Sequence, residues 1–279
     1  MRERVSAQQG VAASMRAEAP QWLSDAELDA MFLEKYGSSG SISWNPARRR
    51  RYGYFLPSDI FEATVAKHVT PGCAWVDVGG GHHIFPENPA LARRLVARSN
   101  TVVAVDPDPN VLDNPFVHER HQALLEDFCS EHRFDLATLR MVVEHVQQPE
   151  RFVASLRQLM KPGGTVIVFT VDKWAPLSVM SALTPFGLHH PVKRFFWGGE
   201  ERDTFPVQYR MNTRDDLRGV FAQEGFTESA FAYLDDLSTF AAFRALGALE
   251  LRLWTAWRRL GRPYPERCLL GIYTRSVKT

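Results

Sequence analysis

From about residue 58 onward, short apolar runs alternate with segments of helical character, and no other feature constrains the fold as strongly. Apolar runs of this length between turn residues are typical of buried strands. The predicted strands span residues 73–78, 101–105, 116–122, 134–139 and 165–171, and the predicted helices among them span 89–98 and 149–160. Strands that alternate with helices form a mainly parallel sheet covered by helices. The sequence therefore predicts an α/β fold with a doubly wound sheet.

The chain beyond residue 171 begins with an irregular stretch, 172–211. The segments predicted after it are a helix at 213–224, a strand near 226–234, a long helical segment at 238–260 and a last strand at 267–275. The sheet is thus expected to contain seven strands, with helical and irregular insertions around it.

The sequence predicts one domain, because it contains no linker rich in Gly, Ser or Pro and no internal repeat. Residues 1–20 lack the apolar core of a secretory signal and are expected to form a flexible lead-in. The predicted domain, 21–279, divides into a helical extension at 21–57, a core at 58–171, a lid insertion at 172–211 and a C-terminal part at 212–279 with a helical excursion at 238–262.

Composition excludes several classes of protein. Lys and Arg number 33 and Asp and Glu 32, so the net charge would not hold the chain on nucleic acid or on an anionic membrane. Cys73, Cys129 and Cys268 form no C-x-x-C pair, which argues against a disulfide framework and a thiolate zinc site and favours a reducing cytoplasm. No His, Asp and Glu cluster has metal-ligand spacing, so no metal is predicted.

The loops that follow the strands are where a ligand is expected, because open α/β sheets bind ligands at the carboxyl ends of their strands. The first such loop contains Gly79, Gly80 and Gly81, which allow a ligand to approach the backbone closely. A G-x-G-x-x-G pattern counted from Gly79 would need a glycine at Ile84, so a nicotinamide dinucleotide is disfavoured. The second strand leads into Asp106, and a carboxylate there suits the two hydroxyl donors of a ribose.

Four short motifs follow one another along the chain. Asp77 to Gly81, Asp106, Phe134-Asp135 with Glu144-His145, and Leu159 to Gly164 resemble the motifs of class I S-adenosylmethionine-dependent methyltransferases. The resemblance covers roughly residues 58–171 and is greatest to the small-molecule branch that is similar to ubiquinone methyltransferases. It implies a seven-stranded Rossmann-like sheet whose last strand is antiparallel. It also implies S-adenosylmethionine as cofactor, S-adenosylhomocysteine as product and in-line displacement of the methyl group by the acceptor.

The resemblance also implies individual roles. Asp77 would receive the methionine end of the cofactor through the loop and bound water, and Asp106 would hold the ribose hydroxyls. Gln122 stands where the family often has an Asp near the adenine, and His83 stands where its third loop glycine is common. The predicted cofactor-binding residues are Asp77, Gly79, Gly80, Gly81, His82, Asp106, Pro107, Gln122, Ala123, Leu124, Arg140 and Met141.

A hydroxyl acceptor needs a general base, and histidine titrates in the required range. The candidates, in order, are His145, His189 and His190; a structural role is the alternative for His145, as it is for the neighbouring Glu144. The aromatic side chains of the 172–211 insertion suit a lid over an apolar or aromatic acceptor, although they could equally pack the lid onto the sheet. The Asn/Asp-Pro-Pro-aromatic signature of base methylation is absent after the fourth strand, so nucleic acid is disfavoured as a partner.

The helical segment 238–260 allows two interpretations. A helical wheel places apolar residues, among them Trp254 and Trp257, in one arc with Glu250, and arginines on the other side. Such a helix could make peripheral contact with a membrane, or it could dock on its own domain or on a second subunit. The sequence leaves the oligomeric state open.

The function predicted from the sequence is O-methylation of a small molecule, a secondary metabolite or a glycan- or lipid-linked precursor. The alternatives are a non-catalytic S-adenosylmethionine-binding protein with a role in assembly or regulation, and a methyltransferase that acts on tRNA or protein. The balanced net charge makes the last of these a weaker alternative.

Overall fold

A computed structural model of the chain describes residues 20–37, 44–183, 206–240 and 243–277, without the side chains of residue 44 and of 181–183. Nearly all of the predicted lead-in and the centre of the 172–211 insertion, including His189 and His190, lie outside these ranges. The division into one domain with an extension, a core and a lid stays a prediction.

The fold is built on one seven-stranded sheet. Its strands are β1 (Ala74–Val78), β2 (Thr101–Asp106), β3 (Glu119–Gln122), β4 (Phe134–Arg140), β5 (Met160–Val171), β6 (Phe226–Asp235) and β7 (Arg267–Arg275). They lie in the order β3-β2-β1-β4-β5-β7-β6. The strand β7 pairs antiparallel with both β5 and β6, whereas the other pairings are parallel. The predicted sheet, including its antiparallel last strand, is confirmed.

The helices cover both faces of this sheet. Those in the described ranges are α1 (Asp25–Tyr36), α2 (Trp44–Arg51), α3 (Pro57–His68), α4 (Pro89–Arg98), α5 (Pro149–Leu159), α6 (Pro176–Leu183), α7 (Arg214–Gln223) and α8 (Arg244–Arg259). Helices α1, α3 and α4 pack on one face around Trp75, and α5 and α7 pack on the other around Val76. Neighbouring strand residues point to opposite faces, so Trp75 and Val76 belong to different halves of the core.

The strand predicted from residue 165 begins earlier, at Met160, which pairs with Phe134 before the register of the two strands shifts. Two other predicted boundaries are wrong for local reasons. The helix predicted from residue 238 begins at Arg244, and Ser238 instead belongs to a turn after β6 in which the Asp236 carboxylate accepts its N–H. The strand predicted from residue 116 begins at Glu119, because the Phe116 N–H donates to the Asn114 side chain instead of to β2. In both cases a side chain competes with the backbone for a hydrogen bond.

A buried charge network joins the N-terminal helices to α3. The Lys35 ammonium lies 3.1 Å from an Asp59 carboxylate oxygen and 2.8 Å from one of Glu62, and all three side chains are buried. The Tyr36 hydroxyl and Arg49 also contact Asp59. The network thereby connects α1 and α2 to α3 through largely buried charges.

Among the residues described, no helix combines the length and the apolar composition that crossing a membrane would need.

Candidate functional site

The turn after β1 carries the glycines. Gly79 has φ 72° and donates its N–H to the Val105 carbonyl at 2.8 Å. A Cβ added to Gly79 would stand 2.2 Å from Cγ2 of Val142, in the loop that follows β4. Gly81 has φ 41° and donates its N–H to Oδ2 of Asp106 at 2.9 Å. The backbone of this turn therefore requires glycine and approaches two neighbouring loops closely.

Asp106 is the last residue of β2, and its carboxylate lies at the end of the sheet where β1 leads into the glycine turn. Its Oδ1 accepts the Asp108 N–H at 2.8 Å and its Oδ2 accepts the Gly81 N–H, and burial raises the pKa of the carboxyl. A carboxylate offers about four acceptor sites. After two backbone bonds, Asp106 retains acceptor capacity for the hydroxyl groups of a ligand.

A cavity of about 640 Å³ opens where β1, β2 and β4 end. The predicted residues that line it are Gly79, Gly81, His82, Asp106, Pro107, Ala123, Leu124, Met141 and His145. Asp77, Gly80, Gln122 and Arg140 are not among its lining residues.

Asp77 lies beneath the turn, where it is buried. The Thr138 hydroxyl donates to Asp77 Oδ1 at 2.6 Å, and its oxygen accepts the Trp75 indole N–H, so the hydroxyl proton is directed at the carboxylate. Burial raises the pKa of Asp77 to about 7, although the Thr138 hydrogen bond acts in the opposite sense. A Cβ on Gly80 would stand 2.9 Å from Asp77 Oδ2. Asp77 therefore supports the turn from below and reaches the cavity only through it.

Gln122 does not line the cavity, and its side-chain amide donates to the carbonyl of Pro107, which does line it, at 3.3 Å. A contact between Gln122 and an adenine stays a prediction. The next two residues, Ala123 and Leu124, do line the cavity. Since β3 ends at Gln122, the residues that turn towards the cavity are those that follow the strand.

The loop after β4 closes the cavity on its other side. Met141 has φ 53°, which is rare for a residue with a Cβ, and donates its N–H to the Phe169 carbonyl at 2.8 Å. Nδ1 of His145 lies 3.4 Å from the Pro206 carbonyl oxygen. The buried Glu144 carboxylate accepts the Thr170 hydroxyl at 2.8 Å, and the Glu144 carbonyl accepts the Gln208 N–H. Glu144 thus has a structural role in holding residue 208 against this loop.

Several lining residues were not predicted from the sequence. They are Val78, Val105, Asp108, Asn110, Leu125, Glu126, Asp127, Val142, Val146, Gln147, Gln148, Arg151 and Phe152. The last four of these belong to α5 or to the residues just before it, and Arg151 pairs with Asp127 at 3.0 Å. The expectation that ligands bind where parallel strands end identifies the loops, but it does not identify which side chains of the following helix face the ligand. The acidic residues Glu126 and Asp127, which follow β3 in the sequence, were a signal that could have identified part of this set.

Two histidines follow the glycine turn. The His82 and His83 rings lie 4.4 Å apart, and His83 packs on Phe116. Burial lowers the pKa of His83. Across the described ranges, no three His, Cys, Asp or Glu side chains come together in a way that could hold a metal ion.

Comparisons with known proteins agree on one family. A family model described as a methyltransferase domain matches residues 47–228. Ubiquinone biosynthesis O-methyltransferase from Coxiella burnetii is 26% identical over 160 residues, which cover 54% of this chain and 66% of that protein. The protein of the same name from Xanthomonas campestris is 27% identical over 176 residues, 57% of this chain and 71% of that one. The matched region thus spans just under two thirds of the Coxiella protein.

Among solved structures, geranyl diphosphate methyltransferase in complex with S-adenosylmethionine superposes with a TM-score of 0.49 at 13% identity. The superposition covers 86% of this chain and 94% of that chain.

Proposed function

Since this chain belongs to the methyltransferase domain family, whose model matches more than half of its residues, we propose that it transfers a methyl group from S-adenosylmethionine to an oxygen atom of a small molecule. The observation that carries the proposal is the Asp106 carboxylate, which faces a cavity of about 640 Å³ beside a turn whose positive φ angles favour glycine. The names of the Coxiella and Xanthomonas relatives support oxygen as the methylated atom.

The residues around the cavity fit this cofactor. Asp106 would accept hydrogen bonds from the ribose hydroxyls, and the Gly79–Gly81 turn would lie against the methionine end with Asp77 beneath it. Ala123 and Leu124 would flank the adenine. When bound, S-adenosylmethionine supplies a methyl group on a sulfonium, which an acceptor atom can displace. The contribution of the chain is to align the acceptor and to exclude water.

The acceptor we propose is an apolar or aromatic small molecule, covered in part by the 172–211 insertion. A location in the cytoplasm is part of the proposal and is supported by the three free cysteines, Cys73, Cys129 and Cys268.

Calorimetric titration of the purified chain with S-adenosylmethionine, S-adenosylhomocysteine and NAD tests the proposal before any acceptor is known. We expect the first two to bind with micromolar affinity and NAD to show no heat of binding. Absence of binding by all three would contradict the proposal. Tight binding without methyl transfer to any phenol, catechol, tRNA or protein tested would favour the non-catalytic alternative.

Replacing Asp106 by alanine should weaken the binding of S-adenosylhomocysteine by about 1–3 kcal/mol, because the ribose hydroxyls lose a charged acceptor. Calorimetry measures this loss, and thermal unfolding shows whether the turn survives without the Gly81 and Asp108 contacts. Asp113→Ala is the matched control, since Asp113 is exposed in the same segment and does not line the cavity. Equal affinities of the Asp106 and Asp113 variants would disprove the ribose assignment.

We propose His145 as the general base, since it lines the cavity and its Nδ1 faces the Pro206 carbonyl. If Nδ1 carries the proton and donates to that carbonyl, the tautomer has its lone pair on Nε2, the atom that would accept the acceptor's proton. His145→Ala should then lower kcat by roughly 10²–10⁴-fold with a phenolic acceptor while S-adenosylhomocysteine binding stays unchanged.

The pH profile separates this role from a structural one. The acidic limb of the wild-type profile should disappear in the His145 variant and persist in His132→Ala, whose ring is exposed outside the cavity. Full turnover by His145→Ala would return the residue to a structural role. His189 and His190 stay predictions, since they lie outside the described ranges.

A further inference from the structure

The helix α8 presents a row of apolar side chains to solvent. Its members, here named the apolar stripe, are Leu246, Leu249, Leu253 and Trp257 of the helix and Leu260 directly after it, and each is between 40% and 71% exposed. Their spacing of three or four residues places them on one side of the helix. Large apolar side chains that lie together on a surface indicate an interaction site more strongly than scattered ones do.

A different side of α8 attaches the helix to the rest of the chain. Leu251 and Trp254 are buried against Tyr54, whose ring lies 5.2 Å from that of Trp254. The Trp254 indole N–H donates to Asp235 at 2.8 Å. Trp254 is therefore an anchor within the protein, although the helical wheel groups it with the apolar arc. Because this docking side is separate, the apolar stripe remains exposed while the helix is held in place.

The exposed charged side chains of residues 243–263, which include α8, are all positive. Arg244, Arg252, Arg259 and Arg262 are exposed, whereas Glu250, the only acidic residue between 243 and 263, is buried. The Tyr264 hydroxyl donates to the Glu250 carboxylate at 3.1 Å, and burial raises the pKa of that carboxyl. A chain whose Lys, Arg, Asp and Glu nearly balance overall has thus concentrated positive charge beside the apolar stripe.

The position of α8 relates it to the cavity. Strand β6 runs parallel to β5, so its last residue, Asp235, lies at the edge of the sheet where β1, β2 and β4 also end. Helix α8 connects that end of β6 to the beginning of β7. Helix and cavity therefore lie at the same edge of the sheet.

We propose that the apolar stripe and its arginines bind the surface of an anionic phospholipid bilayer, with α8 lying in the plane of the interface. An interfacial helix inserts its apolar side chains between lipids and pairs its arginines with phosphate groups. A second copy of the chain is a poorer partner, because this segment of a second copy offers the arginines no exposed acidic side chain. The proposal goes beyond the proposed function and does not depend on it.

Flotation of the full chain with phospholipid vesicles tests this proposal without cofactor or acceptor. We expect binding at low salt to vesicles of phosphatidylcholine with roughly one third phosphatidylglycerol, and little binding to phosphatidylcholine alone. Salt at about 0.5 M should release most of the protein, since it screens the arginines.

Two sets of variants separate the charges from the apolar stripe. Replacing Arg252, Arg259 and Arg262 together by glutamine should weaken partitioning roughly a hundredfold. Leu253→Gln with Trp257→Gln should weaken it roughly tenfold or more, because these side chains no longer insert into lipid. Arg218→Gln and Val277→Gln are the matched controls, exposed residues on α7 and near the end of the chain that should leave flotation unchanged.

Three results would overturn the proposal. They are failure of the wild type to float with anionic vesicles at low salt, an equal effect of the control variants, and a dimer in sedimentation that Leu253→Gln with Trp257→Gln dissociates while no vesicles are bound. Titration with S-adenosylhomocysteine, measured separately, shows whether the cofactor site is intact in each variant. Failure of membrane binding and failure of the proposed function are thus distinguishable.

Discussion

Replacing Lys35 by methionine is expected to destabilise the folded chain by about 3–5 kcal/mol, because it leaves the buried carboxylates of Asp59 and Glu62 without their shared cation. Burial disfavours the charged form of Lys35, but the attraction of both carboxylates outweighs it and raises the pKa of the ammonium. Methionine preserves the length of the side chain, so the loss of stability is due to the missing charge and not to a cavity. Chemical denaturation at neutral pH measures the change in the free energy of unfolding.

Lowering the pH should reduce the stability that Lys35→Met loses relative to the wild type. Burial already raises the pKa of Glu62, and removal of Lys35 should raise it further. A carboxyl whose pKa is higher in the folded state than in the unfolded state destabilises the fold, and this loss of stability grows as pH rises from the unfolded-state pKa to the folded-state pKa. As pH falls towards the unfolded-state pKa, the stability of the variant should therefore approach that of the wild type. A second substitution, Glu62→Gln, should recover part of the stability at neutral pH.

The matched control is Lys161→Met, which removes an exposed lysine 2.8 Å from Asp135. An exposed ion pair contributes about 0–1 kcal/mol, so this variant should unfold almost as the wild type does. Similar losses in the Lys35 and Lys161 variants would contradict the prediction that burial determines the strength of the network.

The second large effect is expected for Gly79→Ala. The substitution forces a residue with a Cβ to adopt φ 72° and places that carbon 2.2 Å from Cγ2 of Val142. The strained backbone and the overpacked side chain together should cost roughly 2–4 kcal/mol of stability. Because Gly79 and Val142 both line the cavity, the binding of S-adenosylhomocysteine should weaken as well.

Two further variants separate the backbone from the contact. Gly72 has φ 78° and nothing within 4 Å of the position of its Cβ, so Gly72→Ala should show only the backbone cost of about 1–2 kcal/mol. Combining Gly79→Ala with Val142→Ala should remove the clash and leave that same cost. If Gly79→Ala and Gly72→Ala lost equal stability, the close approach of the two loops would not be a source of strain.

The regular elements could be predicted because their signals are local. The helix Pro89–Arg98 and the strand Arg267–Arg275 occur where periodicity and turn residues predict them. The candidate site was partly predictable for a related reason: strands that run in one direction end at one edge, so the glycine turn and Asp106 had to lie near each other. The roles of these residues in holding a cofactor stay proposals.

Features that depend on distant pairings could not be predicted. The contacts of Lys35 with Asp59 and Glu62 join two helices, and nothing in either segment indicates the other. Arg151 reaches the cavity because α5 packs beside the turn at Leu125–Asp127. The orientation of α8 likewise depends on Tyr54 and Leu237, which lie outside it and bury Trp254.

Sequence patterns were enough to predict the succession of strands and helices along the chain and the glycine turn with Asp106, and the family resemblance predicted the direction of the last strand. These follow from apolar periodicity, from the φ angles that glycine permits and from motifs a few residues long. The buried side of α8, the pairing of the buried charges and the set of side chains that reach the cavity became known from the three-dimensional arrangement. Each of those depends on the distance between residues far apart in the chain, which packing of the sheet and helices sets.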